Sequence, residues 1–538
     1  MKWRITWARL AFAMAVVASL SHVTSAAEIT WDGDTNTTWS NGANWGGGSA
    51  PIATDVAKIT GIFANQPTLT ADASVSGVWI NNLGQVYGSA SQNSILTISG
   101  STINGVPNMA VLVDGTGTFA STIANKVSIN GAGLSVRNDT NNDLTFTSLT
   151  NSVGNGVINL NANTLTFSAN GTGNITMANV FGTGGVTVNS NGTGAVRSNS
   201  NNVSYSGQLT IAKGILQSNS INNISQNGKL GNSALSVILG STGNTGTFQY
   251  NGTTNASEAS LTTGATKPFT LAAGGTGVFD MLLADAQTLN LRGVINGSGN
   301  MVVQGNAFGT VSFNAANTYT GTTTVATGKL ALASTGSINS SPVINVMSGA
   351  TFDVSANTFT LGGLNAQTLE GSGTVVGTTT IGALGTVSPG NSAGTLTVGG
   401  LALLNGASGL FELENTAGVH AAGGASDYLD IAGLLNLSGV TTSVNLDVAA
   451  VGGADLAAAG SWILMSFDSI NPGSFDPDTN FMVTGVDAGY NYSVDVIPGV
   501  GTTGDVVLTL TAVPEPGAFV LAGIGMIGLG IRMRRRMR

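Results

Sequence analysis

The chain has 538 residues, 77 of them glycine and none cysteine, and only 8% carry charge. An ordinary soluble domain carries about 25%, so Asn, Thr, Ser and Gly must cover this surface, while an apolar content of 42% in short Val, Ile and Leu groups excludes a disordered linker. Of the 17 basic residues three stand at the start and five at the end, leaving nine against 25 of the 26 acids, a net near −16 that excludes nucleic acid and acidic polymers as partners.

In chain order, Lys2, Arg4 and Arg9 give a positive start, Leu10 to Leu20 is apolar, and Ser25-Ala26-Ala27 supplies small residues. This order reads as a secretory signal over residues 1–27, cut by signal peptidase after Ala27 so that Glu28 begins the mature protein. The exported chain has no cysteine with which to build disulfides. Residues 28–80 are rich in tryptophan (Trp31, Trp39, Trp45) and read as a cap over the first rung of a stack, since an open sheet end is an aggregation edge.

Residues 81–400 repeat themselves. Ser204-Tyr205-Ser206-Gly207 leads through Leu209 and Ile211 to Gly214-Ile215-Leu216; Thr318-Tyr319-Thr320-Gly321 leads through Val325 to Gly328-Lys329-Leu330. The copies lie 114 residues apart, and each follows a second shared piece, Gly182-Thr183-Gly184-Gly185-Val186 in one and Gly297-Ser298-Gly299-Asn300-Met301 in the other. Each piece predicts a strand of three to five residues, alternating as in Thr323 to Val325 and Thr395 to Val398, with Gly and Asn between strands. Short rungs that bury their apolar face only on one another form a stack, and stacked Asn and Thr can form hydrogen-bonded ladders. The expected fold is all-β, a right-handed parallel β-helix (β-solenoid), with a row of small β-sandwiches as the alternative. Gly207 and Gly321 are expected to permit bends between rungs and the rings of Tyr205 and Tyr319 to cover the corners, while Gly214 and Gly328 define the Gly-x-Leu end of each copy.

Residues 401–512 lose the repeat, gain acids and read as a β-rich C-terminal domain. At the end, Val513-Pro514-Glu515-Pro516 precedes an uncharged run from Gly517 to Ile531, then Arg532, Arg534, Arg535, Arg536 and Arg538. Fifteen helical residues reach only about 23 Å, short of a hydrocarbon core of about 30 Å, so a single transmembrane helix would need its flanks or a thinned bilayer. The arginines would hold their side in the cytoplasm.

Two resemblances follow from these residues. Residues 513–538 resemble the PEP-CTERM sorting signal of Gram-negative bacteria, which implies that the chain is cargo for exosortase, passing through the inner membrane as an anchored intermediate to the cell surface or beyond. The repeat, with Val387-Ser388-Pro389-Gly390-Asn391-Ser392, Ser426-Asp427-Tyr428-Leu429-Asp430 and the tryptophan-rich opening, resembles the autotransporter-associated β-strand repeat of bacterial surface proteins. The membrane barrel of a self-translocating autotransporter is replaced by the basic tail.

Chemistry is sparse. After the leader a single histidine remains, His420, in an expected loop; without cysteine or a second histidine, zinc sites and Cys-His dyads are excluded. Asp427 and Asp430 should face opposite sides of a strand. Glu412 and Glu414 share a face of an ordinary exposed-acid strand, and Asp476-Pro477-Asp478 lies in a turn. Glu28, Asp32 and Asp34 fit no calcium-loop consensus. No catalytic residue, metal or cofactor is expected. The function expected is a non-catalytic structural or adhesive surface protein, with extracellular polysaccharide as a candidate partner; the alternative is a β-helical polysaccharide lyase or hydrolase using paired carboxylates.

Overall fold

The computed structural model describes residues 26–513, apart from 62, 82–85, 88–93, 118–119, 148–157, 178, 202, 258–265, 284–285 and 500–502. The expected leader as far as residue 25, and the Pro-Glu-Pro, apolar and arginine segment from residue 514, lie outside the described residues. Strand makes up 52% and helix 2%. Among the described residues no helix is long and apolar enough to cross a membrane.

The strands alternate inward apolar and outward polar residues, so each needs a neighbour above and below. They find it one coil away. On one face, Leu134–Asn138 pairs with Leu165–Ala169, which pairs with Val186–Asn189, which pairs with the strand from Leu209, all parallel. On a second face Leu144–Phe146, Ile175–Met177 and Ala195–Ser198 stack likewise. Lys126–Ile129, Ile158–Asn159, Val180–Gly182 and Ser204–Tyr205 form the third. Parallel pairing of strands about one coil apart is β-helical stacking, whereas sandwiches pair antiparallel neighbours. The inward side chains merge into one cluster that runs from Trp31 to Leu510. In its middle Phe248, Phe269 and Phe279 meet edge to face, with centroids 5.1–6.2 Å apart.

Outward polar side chains form the expected ladders. Asn170 Nδ2 donates to Asp139, Asn191 N–H donates to Asn170 Oδ1, and Lys213 Nζ donates to Asn191 Oδ1, linking four coils at 2.7–3.2 Å. A second ladder joins Arg197 to Asp143 and Gln217, Gln217 to Gln249, and Gln249 to Asp280. The low charge is thus compatible with a satisfied polar surface.

Beyond Gly297 two long parallel sheets dominate. Strand Thr395–Leu404 crosses residue 400 and pairs with Thr374–Ile381 before it and Tyr428–Gly439 after it, and in the other sheet Ser408–Leu413 pairs with Gly385–Pro389 and Val444–Ala450, so neither sheet breaks there. The stacking changes only at the end. Gly504–Ala512 runs antiparallel between Gly460–Asn471 and Tyr490–Ile497.

At the other end, strand Glu28–Trp31 opens the stack by pairing with Val56–Ile59. Trp31, Trp39 and Trp45 are buried and pack edge to face at 4.8–4.9 Å. Buried Asn44 ties their loop, accepting from the N–H groups of Thr35 and Asn36 and donating to Asn36 and Thr38. A hairpin unforeseen in the sequence lies beside them. Ser101–Ile103 folds back on Val106–Asp114 through Asn104 (φ 47°) and Gly105 (φ 75°) and covers Val56, Trp79 and Leu112 on the outer face. Asn-Gly between two apolar groups was the available signal.

Candidate functional site

Four places bear on function: the repeat corners, the turn around Asp427, His420, and the C-terminal strand.

Tyr205 and Tyr319 are both buried inside the coil. The glycines that follow them act by close approach, which corrects the expected bend: a Cβ on Gly207 would lie 2.4 Å from the Gly184 backbone, and one on Gly321 would lie 2.1 Å from the Gly299 carbonyl oxygen. The second shared sequence piece is therefore the previous coil, lying directly under the first. Gly214 (φ 87°) and Gly328 (φ 69°) do hold the left-handed conformation that turns the chain. The Tyr319 hydroxyl bonds Thr323 Oγ1 at 2.6 Å, Thr323 bonds Ser341 Oγ at 2.8 Å, and Ser341 donates to the Gly321 carbonyl at 3.0 Å. The Tyr205 ring lies against Gly231, and no hydrogen bond to its hydroxyl is seen among the described residues. Burial raises both phenols above their ordinary pKa, and at Tyr319 the Thr323 bond pulls part of the way back.

The two further pieces singled out in the sequence, Val387 to Val398 and Ser426 to Gly433, fold against each other. Asp427, 2% exposed, accepts from Gly394 N–H at 3.0 Å and Glu412 N–H at 2.7 Å, and its own N–H donates to the Glu412 carbonyl. Ser426 Oγ accepts from Glu414 N–H. Burial pushes the Asp427 carboxyl up to about 7, the two N–H groups pull it down, and the Glu412 charge adds to the rise. The carboxylate clasps three segments of chain. Asp430 stands outward beside Thr397 Oγ1 at 3.3 Å, on the side opposite Asp427. Sequence spacing separated these two acids; nothing in it places Asp427 over the Gly394 turn 33 residues earlier.

His420 is not in a loop. Gly418–His420 is a short strand, because it pairs with Gly460–Trp462 on the next coil. Its ring stacks on Trp462 (5.0 Å, 4° between planes), with Nδ1 3.5 Å from Glu414 and Nε2 2.8 Å from the Thr416 carbonyl. The Asp476-Pro477-Asp478 stretch is likewise a one-turn helix, Pro477–Asn480, capped by Asp476. Glu412 lies half-exposed on Ser408–Leu413 between buried Phe411 and Leu413, as the alternation implied. Glu28 is engaged by Lys58 Nζ at 2.7 Å, and Asp32 accepts from Asp34 N–H. Ala27 precedes the first strand, its carbonyl accepting from Val56 N–H at 2.7 Å.

Gly504–Ala512 is the last strand among the described residues. Ala512 is opposite Tyr490, and Val513 N–H donates to the Gly489 carbonyl at 2.8 Å. Pro514 follows, with no N–H to continue the ladder.

Residues 512–536 match the PEP-CTERM protein-sorting motif. The PEP-CTERM match covers the Pro514-Glu515-Pro516 sequence, the apolar run and four of the arginines, with Arg538 just beyond. It implies an exported protein that exosortase processes, held as a membrane-anchored intermediate on the way to the cell surface. No curated protein matches the chain.

Proposed function

We propose that the body is a non-catalytic stalk, displayed at the cell surface or in the extracellular matrix, where it acts as a structural or adhesive element. The observation that carries this reading is the PEP-CTERM motif set directly behind a long stack whose polar groups are used on one another. Among the acids singled out for a glycan-cleaving pair, several are engaged locally: Asp427 by two backbone amides, Asp430 by Thr397, Glu414 by His420 and Thr416, Asp476 by its helix end. A retaining or inverting pair needs two carboxyl groups free to face one sugar. The reading includes a right-handed coil, kinship with autotransporter-associated repeats, a leader cut after Ala27, and Trp-rich, solenoid and terminal units in the order of the sequence. Extracellular polysaccharide is the partner it brings the stalk into contact with.

Fractionation of a tagged chain, in hosts with and without exosortase, tests the sorting step. Replacing Pro514 and Pro516 by Ala should leave full-length protein in the inner membrane. Normal trimming and release of that double variant would sink the proposal.

A further inference from the structure

The PEP-CTERM match begins at residue 512, yet Ala512 and Val513 belong to the folded body. The strand that leads to them, Gly504–Ala512, is held on both sides. From Gly504 to Leu510 it is paired with Gly460–Asn471 on one edge, and from Asp505 to Ala512 with Tyr490–Ile497 on the other. Val506, Leu508 and Leu510 are buried, as is Val494 across from Leu508. Ser461 and Thr509 share a hydroxyl bond at 3.0 Å. An enzyme that reads a peptide by strand addition holds it extended, with its own groups on the peptide backbone. Here the backbone is paired on both sides up to Leu510 and on the Tyr490–Ile497 side as far as Val513, and Pro514 follows directly in the sequence.

We propose that this terminal hairpin masks the upstream side of the sorting motif, so that exosortase acts on chains whose last strand has come away from Tyr490–Ile497. The inference rests on the sorting reading above and adds a regulation to it. Residues 511–513 are bonded on one side only, so they open first. Opening further requires exposing Leu510 and Leu508. The rate of processing then follows the population of opened hairpin where opening and closing are fast relative to the cut, and the rate of opening where they are slow. Folding of the body and sorting of its tail compete, which favours processing of a chain that has not yet closed its last strand.

The test uses the absence of cysteine in the chain. Asn491 and Thr511 are opposite each other and exposed, and directly opposed strand positions have a Cα separation that a disulfide spans. The full chain carrying Asn491→Cys and Thr511→Cys is presented to exosortase in membrane vesicles, oxidised and then reduced. The oxidised form should be processed about tenfold or more slowly than the reduced form, a tenfold change corresponding to about 1.4 kcal/mol of added opening cost. A second variant carries eight Gly and Ser residues inserted between Val513 and Pro514. It should be processed faster than the parent, and the disulfide should no longer slow it. Equal rates for oxidised and reduced forms without the insert would overturn the masking. Absence of processing in every form, insert included, would instead overturn the sorting reading and this inference with it.

Discussion

The coil around Tyr205 and the coil around Tyr319 share a sequence and differ in place. Tyr205 pairs with Gly182 on the third face, and the strand after it, from Leu209, lies on the first. Thr318 and Thr320 bond Ile295 and Gly297 on the first face, and the strand after Tyr319, Thr323–Val325, lies on the second. The motif has rotated by one face between copies. What it specifies is a local unit, a buried ring followed by a glycine in contact with the coil below, and this unit fits any corner of the prism. What varies is the polar surroundings: Tyr319 sits in a hydroxyl chain with Thr323 and Ser341, and Tyr205 packs on Gly231.

The comparison can be broken most severely at the shared glycine. Gly207→Val and Gly321→Val should each cost more than about 4 kcal/mol, among the largest single-residue effects, because the clash is with backbone that cannot move without parting two coils. Both should lose native circular dichroism or export; a mild effect at either site would show that the coils separate easily there. Next, Tyr205→Ala and Tyr319→Ala should each destabilise by about 3 kcal/mol, the range for a large buried aromatic. Denaturant melts read together with amide exchange in the adjacent coils would measure this, since a stacked repeat need not unfold in one step. An unchanged midpoint with loss of polysaccharide binding would make the ring a ligand platform instead.

A sharper contrast comes from removing the hydroxyl alone. Tyr319→Phe should cost about 1 kcal/mol, because Thr323 loses a partner, while Tyr205→Phe should lie within about 0.5 kcal/mol of the parent. Equal effects would erase the difference between the copies. The smallest effect is at Lys329, which stands where the first copy has Ile215. Lys329 Nζ is 3.1 Å from Asp353. Desolvation works to raise the Asp353 pKa, but hydrogen bonds from Ser355 and the Lys329 charge outweigh it, and the net shift is downward. A carboxyl lowered in the folded state stabilises above its unfolded value of about 3.9 and loses that contribution as pH falls through the folded value. The second copy should therefore weaken slightly below about pH 4, by no more than about 1 kcal/mol for a partly exposed pair. Asp353→Asn should remove that loss, measured as the difference in melting midpoint between pH 3 and pH 6.

Much of this was legible in the residues. Alternation in Leu96 to Ile98 or Leu165 to Phe167 is the signature of a strand with one buried face, and it recurs along the stack in Ile175–Met177, Val343–Val346 and Gly504 to Leu510. The stacked Asn and Thr residues form ladders, and the three tryptophans of the opening are buried together. The bend assigned to Gly321 was misplaced, because the need for glycine there comes from the Gly299 carbonyl in another coil. His420 looked like a loop residue for the same reason: its strand partner is Trp462, 42 residues away. A short strand flanked by glycines has no local signature of its own when its stability comes from a neighbour distant in sequence.

The amino-acid sequence by itself determined the class of fold, the acidic body without cysteine, and the sorting motif at 512–536. These depend on side-chain period, backbone freedom and charge, which are local properties. Only the tertiary structure decided which coil lies under which, how the repeat rotates by a face, that Asp427 joins the Gly394 turn to Glu412, and that the last strand is clamped on both sides as far as Leu510, two residues before the motif. Those depend on the number of residues each coil spends on its corners. The pairing Leu134 to Leu165 spans 31 residues and the next, Leu165 to Val186, spans 21, so no fixed period in the sequence could have set the register. The inward apolar residues set it, since a slip by one would turn them out to water.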